Sequence, residues 1–564
     1  MTHDYDWIVV GSGFGGSVSA LRLAEKGYSV AVLECGSRFR DEDFAESTVR
    51  HPRRYFWAPK LGFRGVLRMT FFKDVFVVSG SGVGGGSLGY ANTLYRARPA
   101  FFEDPQWKEL GNWELALAPH YDTAERMLGV TEYEGIGPAD QLLKEYGEEI
   151  GVGETFTNTR VGVFFDQPGK TVEDPYFEGE GPERTGCMRC GSCMVGCRHG
   201  AKNTLVKNYL WFAEKLGVRI QPETQVTDIS PLGAADGSEG YAVTAERSGS
   251  WLHRGRRTIT AKGVVVAAGA LGTNNLLANC KHAGSLPRLS DQIGAVIRTN
   301  SESIQAVTAR DDERDYSRSV AITSSIYPDP DTHIEVVTYG TAGDAMSINF
   351  TAMTGAGTKL TRPLMWLREL LRHPLRALRM LLPYKWSHRT VILLVMQTVD
   401  AAMHLRPKRK IFGKGVRLQT EQDPERPNPT FIPRRRAGGA LVRPADQGGR
   451  PERRHRVAAE HAYDRPHPRR RRDRRRAGER RRRRLQPGLR LREPAGHRRG
   501  LDPGQPRRQP ELDDHRQGRA RDEPDPSQGG RRAARPTKGR AAGNSCRELA
   551  LSRRRRGAGR RSPS

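Results

Sequence analysis

The chain has 564 residues, enough for several domains, and carries a net charge of +29. Such basicity ordinarily indicates a nucleic acid or an anionic membrane as partner, but here it is confined to one end. Residues 434–564 contain 42 Lys and Arg against 15 Asp and Glu, which leaves a net charge of only +2 for residues 1–433. The chain does not open on a basic segment followed by an apolar one, and the longest apolar run, residues 391–396, is too short to span a bilayer. We therefore expect a cytosolic protein whose function lies in residues 1–433.

The first predicted elements form a strand–turn–helix–strand unit. Residues 7–10 form an apolar strand that runs into the turn Gly-Ser-Gly-Phe-Gly-Gly at residues 11–16. A helix is predicted over residues 17–26 and a second strand over residues 28–33. This order of elements is the context in which a glycine-rich turn binds a dinucleotide.

Four residues of this unit have separate roles in dinucleotide binding. Gly11 permits the tight turn, Gly13 lets the backbone approach a pyrophosphate, and Gly16 lets the helix pack on the strand. The N-terminus of the helix offers free N–H groups and a positive dipole end to the phosphates. Glu34 stands at the end of the second strand, where a carboxylate accepts ribose hydroxyl groups. This acid favours FAD or NAD over NADP, and the unit alone does not separate FAD from NAD.

A second glycine-rich loop follows. Residues 75–78 form a predicted strand that leads into residues 79–92, where six glycines fall within ten positions. This density of glycine lets the main chain pass very close to a large flat ligand. Further along, residues 263–269 form a predicted buried strand that ends in a small-residue turn, and residues 270–277 continue from it.

Three motifs together carry a resemblance to a known family. They are GSGFGG with Glu34, GVGGGS at residues 82–87, and AAGALGTNNLL at residues 267–277. On these motifs the chain resembles the glucose–methanol–choline (GMC) flavin oxidoreductases, and within them the bacterial cholesterol oxidase-like branch. The resemblance covers about residues 4–433. One departure is Asn274, where the second signature of the family usually has proline.

The resemblance implies an α/β fold, in which a Rossmann-like FAD-binding domain is interleaved with an α+β substrate domain. The substrate domain is then built on a mainly antiparallel sheet, and FAD is the cofactor. Carried over residue by residue, the family motifs imply that Gly82, Gly86, Ser87 and Asn92 line the flavin. They also imply that the backbone of Val226 contacts the adenine.

The activity that the resemblance implies is hydride transfer from a secondary alcohol, a 3β-hydroxysterol such as cholesterol, to the flavin. Reoxidation by O₂ or by another electron acceptor follows, and some members also move the double bond of the sterol. Glu335 resembles the substrate-domain glutamate that is proposed as base in such members. On an apolar strand, burial would raise the pKa of Glu335 toward a useful value. The alternative is a strand glutamate that faces solvent.

Four cysteines lie close together in the sequence. Cys187, Cys190, Cys193 and Cys197 follow the C-x2-C-x2-C-x3-C spacing of bacterial ferredoxins. Thiolates at this spacing can bind an iron–sulfur cluster or, as a weaker prediction, zinc. In ferredoxins, however, the fourth cysteine serves a second cluster, and this chain has no second run. Unliganded thiols are the alternative, because the resembling family often carries a cysteine-rich element here without needing a metal for its flavin chemistry.

Residues 364–382 alternate Leu, Met and Trp with Arg at helical spacing, and Pro374 and Pro383 divide them into short helices. A basic amphipathic helix can lie in a membrane interface, where a sterol-using enzyme finds its substrate. The alternative is a lid helix of the substrate domain that packs on the core. Of the two we expect the lid helix.

The basic tail, residues 434–564, contains one aromatic residue and no Ile or Met, so we expect it to be disordered. It also fits an out-of-frame translation of a GC-rich gene. With suitable codons, a shift of one base turns residues 460–470 into NMPTTAHILGG and residues 509–516 into NPSLTIT. This shifted text resembles the C-terminal part of GMC oxidases, which carries their catalytic His and Asn. If so, the chain lacks both residues, and we predict that it is inactive or nearly so.

The predicted partition assigns residues 1–98 and 185–300 to the FAD-binding domain and residues 99–184 and 301–433 to the substrate region. Residues 434–564 form the tail. Two other functions are left open by the sequence. One is a flavin and iron–sulfur alcohol dehydrogenase that uses the cysteine run. The other is a nucleic-acid-binding protein that acts through the arginine-rich tail.

Overall fold

The computed structural model describes residues 2–250, 254–309, 313–351, 357, 361–375, 378, 384–398, 402–410, 415–425 and 428. The tail that we expect to be disordered, residues 434–564, lies outside the described residues. In chain order the described strands are β1 (Tyr5–Val10), β2 (Val30–Leu33), β3 (Trp57–Ala58), β4 (Phe63–Arg64), β5 (Leu67–Phe71), β6 (Phe76–Gly80), β7 (Thr131–Glu132), β8 (Thr157–Asn158), β9 (Arg160–Val161), β10 (Thr171–Val172), β11 (Arg184–Thr185), β12 (Arg219–Gln221), β13 (Thr224–Pro231), β14 (Tyr241–Arg247), β15 (Arg257–Val266), β16 (Ile297–Arg298), β17 (Glu302–Thr308), β18 (Ile322–Asp329), β19 (Thr332–Val337), β20 (Thr390–Gln397), β21 (Ala402–Arg409) and β22 (Val416–Gln422).

The described helices are fewer, and four of these nine have seven residues or fewer. In chain order they are α1 (Phe14–Glu25), α2 (Pro52–Tyr55), α3 (Pro99–Phe102), α4 (Trp113–Met127), α5 (Pro138–Glu149), α6 (Tyr209–Lys215), α7 (Gly269–Ala283), α8 (Thr361–Arg372) and α9 (Trp386–Arg389).

A six-stranded sheet with the order β12-β2-β1-β15-β14-β13 contains the first predicted unit. Strands β12, β2, β1 and β15 run parallel, and β14 and β13 are antiparallel to their neighbours. Val9 and Val32 pack on one face against helices α1 and α6, while Ile8 and Leu33 pack on the other face against α7. Both faces are covered, as parallel strands require. The predicted Rossmann-like α/β domain is therefore confirmed.

A second sheet, with the order β17-β20-β19-β18-β8, is antiparallel throughout. One of its faces packs against α5 in a core that includes Leu143, Ile334 and Leu393. The opposite face contributes Val337 to another core, which Leu88 of the second glycine loop also enters. The predicted mainly antiparallel sheet is thus confirmed, and one end of it lies against the glycine loop.

Strand β15 has an open edge at its carboxyl end. Strand β14 pairs with β15 only as far as Ala261, and β1 is the only neighbour that the described residues provide from there to Val266. Val264, Val265 and Val266 are in consequence only half-buried. An apolar strand with an uncovered edge is a site at which another strand can pair. Within the described residues, this edge of the sheet is therefore unpaired next to the turn that leads into α7.

Helix α8 has no buried residue. The side chains of Leu364, Leu367 and Leu371 are 68%, 47% and 72% exposed. A lid helix that packs on the core would bury such leucines, so the expectation of a packed lid is wrong for this helix. Among the described helices, none is both long enough and apolar enough to cross a membrane.

Candidate functional site

The first glycine-rich turn, between β1 and α1, requires glycine at two positions. Gly11 has a φ of +98°, which favours glycine, and a Cβ there would lie 2.5 Å from the carbonyl oxygen of Ala267. A Cβ at Gly16 would lie 2.0 Å from the carbonyl oxygen of Gly11. These two glycines allow the turn to pack tightly against the end of β15 and against α1.

Gly13 and Gly86 instead border open space. The φ of Gly13 is −71°, which suits any residue, and a Cβ there would meet no protein atom closer than 4.0 Å. At Gly86 the nearest atom would lie 3.9 Å away. The two loops touch each other at Gly85, where a Cβ would lie 2.6 Å from the Cα of Gly13. No side chain caps the N-terminus of α1 beside this space, so its N–H groups can bind the pyrophosphate of FAD.

Ser12, in the first glycine loop, forms hydrogen bonds both to Glu34 and to the second glycine loop. The Ser12 hydroxyl donates to Oε2 of Glu34 at 2.8 Å and accepts from the N–H of Gly84 at 3.1 Å. The N–H of Gly36 donates to the other carboxylate oxygen of Glu34 at 2.8 Å. Both carboxylate oxygens of Glu34 also accept a second protein donor, the N–H of Ser12 to Oε2 at 3.0 Å and the Cys35 thiol to Oε1 at 3.4 Å, and a ribose contact of Glu34 stays a prediction. So does the adenine contact of Val226, which lies half-buried in β13 beside a bulge.

Asn92 is the clearest sign of a ligand at the second loop. It is fully buried with a φ of +57°, and both polar atoms of its amide lack a hydrogen-bond partner. Burying an unpaired amide is costly, and a ligand bound at this loop would supply the missing partners. Ser87 is different, because its hydroxyl donates to the carbonyl of Gly84 at 2.7 Å and accepts from the N–H of Leu205 at 3.0 Å. Gly82 has a φ of +141° and packs against a leucine, so Ser87 and Gly82 shape the loop.

An apolar wall lies beside this loop. The wall is the face of the antiparallel sheet onto which both Val337 and Glu335 project. On this face Glu335 pairs with Leu394 of β20, and Leu394 pairs with Ile304 of β17. Residues paired in an antiparallel sheet point to the same face. Ile304 is 52% exposed and Leu394 is half-buried, whereas Glu335 is only 4% exposed. The wall can therefore bind an apolar molecule next to one buried carboxyl group.

The carboxyl group of Glu335 has a single described hydrogen bond, from the hydroxyl of Tyr95 to Oε1 at 2.9 Å. Burial raises the pKa of Glu335 to about 7, the hydrogen bond from Tyr95 opposes this shift, and the nearby Glu302 adds to it. An acid that is half-ionised near neutral pH can both take up and return a proton. The alternative of a solvent-facing Glu335 is wrong, and the role of base stays a prediction.

An aromatic stack borders this acid. The ring of His333 lies parallel to that of Tyr327 with centroids 4.3 Å apart, and it meets the ring of Tyr95 edge-on at 5.6 Å. The guanidinium of Arg98 lies 4.5 Å above the Tyr327 ring. Burial lowers the pKa of His333 to about 4, with Arg98 adding to the effect, so the imidazole is neutral at neutral pH.

The cysteine run does not form the predicted metal site. One cavity of about 20 Å³ is lined by Lys202 and by all four cysteines of the run, Cys187, Cys190, Cys193 and Cys197. A space of this size holds roughly one water molecule, which is too little for an iron–sulfur cluster. Throughout the part of the chain that the structure describes, no group of three or more His, Cys, Asp or Glu side chains could hold a metal ion. These residues therefore do not fit the predicted cluster, or zinc.

Lys202 gives the cysteine segment a structural role. Its ammonium group donates to the carbonyls of Leu88, Tyr90 and Cys193 at 3.2, 2.6 and 2.9 Å. Burial lowers the pKa of Lys202 to about 8. The lysine joins the cysteine segment to the second glycine loop.

Neither Tyr95 nor Lys202 stands out in the sequence as a site residue. Tyr95 lies three residues after Asn92, so proximity to a predicted flavin residue was the available signal. Its partner Glu335 lies 240 residues away, and no local pattern joins the two. Lys202 follows the cysteine run directly, but a single lysine carries no sign that it will be buried.

Comparison with known proteins gives consistent similarities. The GMC oxidoreductase family matches residues 182–284, and an NAD(P)-binding Rossmann-like domain matches residues 9–68. A cholesterol oxidase of Acinetobacter baumannii is 47% identical over 440 residues, which cover 77% of this chain and 79% of that protein. A cholesterol oxidase of Mycobacterium tuberculosis is 49% identical over 448 residues, which cover 77% and 76%. A long-chain-alcohol oxidase of Arabidopsis thaliana is 27% identical over 289 residues, or 49% of this chain and 34% of that one.

Proposed function

Because this chain belongs to the GMC oxidoreductase family, we propose that its sequence specifies an FAD-dependent oxidase of a 3β-hydroxysterol such as cholesterol. The observation that carries the proposal is the apolar wall beside the second glycine loop, with the single buried carboxyl group of Glu335. The secondary alcohol loses a hydride and a proton and becomes a ketone, while O₂ becomes hydrogen peroxide. Bound FAD supplies the hydride acceptor for this reaction.

Different parts of the chain bind the cofactor and the sterol. The open space at Gly13, beside the N-terminus of α1, receives the pyrophosphate, and Glu34 binds the ribose. The unpaired amide of Asn92 bonds to the flavin. The exposed apolar face around Ile304 orients the fused rings of the sterol by burying them.

Glu335 is the candidate base for moving the sterol double bond. Its carboxylate takes a proton from the carbon between the new ketone and the double bond, and its acid form returns the proton to the far carbon of the original double bond. A pKa near 7 makes both steps feasible near neutral pH. We therefore expect Glu335→Gln to abolish isomerisation and to leave FAD binding intact.

We further propose that the 564-residue product is inactive or nearly so. If the tail is out of frame, the catalytic His and Asn of the family are encoded only in the other reading frame. Two observations support an interrupted protein. The two cholesterol oxidases match 77% of 564 residues, or about 434, close to the 433 residues that precede the basic tail. The open edge of β15 is an uncovered apolar strand beside the cofactor site, where the described chain supplies no partner.

The experiment that tests the proposed function uses two proteins. One is the 564-residue product, and the other comes from the same gene with the reading frame shifted by one base after the codon of Pro433. Each is reconstituted with FAD and assayed for peroxide and for ketone formation from cholesterol. The proposal expects flavin-dependent turnover from the shifted product. A shifted product that binds FAD but leaves every sterol and long-chain alcohol unchanged would overturn it.

The alternative of a flavin and iron–sulfur dehydrogenase rests on the spacing of Cys187–Cys197 alone, and the small cavity that these cysteines line argues against it. Iron and sulfide are measured in protein that is purified without oxygen. Stoichiometric iron, with electrons passing to an artificial acceptor and no peroxide, would favour this alternative. A metal-free protein with bound flavin would remove it.

Contact with a membrane is the last part of the proposal. Helix α8 exposes Leu364, Leu367 and Leu371 on one side, and Arg368 and Arg372 are exposed beside them. An apolar face flanked by arginines suits the surface of an anionic bilayer, from which a sterol is extracted. Vesicle binding of variants in this helix tests the idea.

A further inference from the structure

We propose that Tyr95 is a positioning residue for Glu335: it fixes the orientation of the carboxyl group and favours its charged form. The inference rests on the proposed function, because it concerns the base of that same site. Tyr95 follows the second glycine loop, and Glu335 lies on β19 of the antiparallel sheet. The hydrogen bond between them, 2.9 Å from the phenolic oxygen to Oε1, therefore joins the cofactor loop to the substrate sheet.

The hydrogen bond matters because Glu335 has so few partners. Among the described residues, the hydroxyl of Tyr95 is the only donor to its carboxyl group. A buried carboxylate with one donor keeps most of its lone pairs for substrate, but only that donor holds it in place. Without Tyr95 the carboxyl group could rotate about its terminal torsion, which is broad for glutamate.

The ring of Tyr95 is itself held in position. It meets His333 edge-on, His333 stacks on Tyr327, and Arg98 lies above Tyr327. Contacts of this kind fix the orientation of the ring. Tyr95 is 42% exposed, so these contacts cover only part of the residue.

The charged and titratable groups around Glu335 come from several elements. Tyr95 and Arg98 lie after the second loop, Tyr327 on β18, His333 on β19, and Glu302 on β17. Glu302 opposes ionisation of Glu335, His333 is neutral, and Tyr95 alone stabilises the carboxylate through a hydrogen bond. Removing that hydroxyl should therefore favour the protonated acid.

The test is a titration of Glu335 by isotope-edited infrared spectroscopy on the full chain. Glutamate is labelled, and Glu335→Gln identifies the carboxyl band of this residue. We expect Tyr95→Phe to raise the titration midpoint by about one pH unit, as the loss of one hydrogen bond to a charged group implies. Tyr327→Phe is the matched control, because it removes a phenolic hydroxyl from the same stack that does not bond to Glu335. We expect that control to leave the midpoint unchanged.

Two results would overturn the inference: an unchanged midpoint in Tyr95→Phe, or the same rise in Tyr327→Phe. Circular dichroism of both variants verifies that they fold. The titration needs neither flavin nor turnover, so it separates this inference from the proposed function. A midpoint that shifts, while the product of the shifted reading frame oxidises no sterol, keeps the role of Tyr95 and removes the function. Turnover by the product of the shifted frame, without a midpoint shift in Tyr95→Phe, does the reverse.

Discussion

Replacing Glu335 by glutamine should stabilise the protein in a pH-dependent manner. The carboxyl group has an ordinary pKa of 4.5 and a pKa of about 7 in the fold, because burial disfavours its charged form. Below pH 4.5 the acid is protonated in both the folded and the unfolded chain. No charge is then buried on folding, so the free energy of unfolding carries no penalty from Glu335. Between pH 4.5 and 7 the unfolded chain releases the proton and the folded chain keeps it, so stability falls as the pH rises.

The size of the effect follows from the shift of 2.5 pH units between 4.5 and about 7. At 1.36 kcal/mol per unit, the free energy of unfolding falls by about 3 kcal/mol across this window and stays lowered above it. Glutamine keeps the shape of the side chain and can still accept the hydrogen bond of Tyr95, but it has no charge to bury. We therefore expect Glu335→Gln to match the wild type near pH 4.5 and to exceed it by about 3 kcal/mol at pH 8.

The assay is urea unfolding of both proteins, followed by tryptophan fluorescence at several pH values from 4.5 to 8. Glu302→Gln is a useful comparison, because Glu302 is less buried than Glu335 and should give a smaller effect. A constant difference between Glu335→Gln and wild type over the whole range would refute the reasoning. So would a variant that is less stable than wild type at pH 8.

Three further predictions concern the cofactor site and the exposed helix. Gly13→Ala should abolish FAD binding without lowering the melting temperature of the apoprotein, because the nearest protein atom to the added Cβ is 4.0 Å away. Gly16→Ala should lower that temperature sharply, because its Cβ would lie 2.0 Å from a carbonyl oxygen. Flavin absorbance measures FAD binding, and thermal melting measures stability. Asn92→Gly keeps the φ of +57° and removes the unpaired amide. FAD affinity should therefore fall by roughly 10- to 100-fold, while the stability of the apoprotein changes by less than about 1 kcal/mol. A flavin fluorescence titration that gives the variant and the wild type equal affinities would contradict this prediction. Leu367→Glu should weaken co-sedimentation with phosphatidylglycerol vesicles, whereas the same change at Leu216, an exposed leucine outside α8, should not.

Sequence patterns predicted the parts of the fold whose cause is local. The strand, turn and helix around Gly11 and Gly16 follow from glycine spacing and apolar periodicity, and these elements form at almost the predicted positions. The burial of Glu335 also follows from its place on an apolar strand. Each of these features depends on neighbours within a few residues along the chain.

Features that depend on distant residues were not predictable. The bond between Tyr95 and Glu335 depends on how the glycine loop docks on the sheet. The cysteine run has ferredoxin spacing, but its segment closes around a cavity too small for a cluster and is held by Lys202. Helix α8 has the periodicity of an amphipathic helix that packs on a core. Its sequence does not predict that its apolar side chains stay exposed.

The most direct test of the central claim compares cholesterol-dependent peroxide formation by the two reading frames after Pro433. The account predicts that the frame-shifted product turns over cholesterol with FAD. It also predicts that the 564-residue product is at least about 100-fold slower, as the loss of catalytic proton-transfer groups implies. Equal turnover by the 564-residue product would contradict the account, because the residues that the tail lacks would then be dispensable.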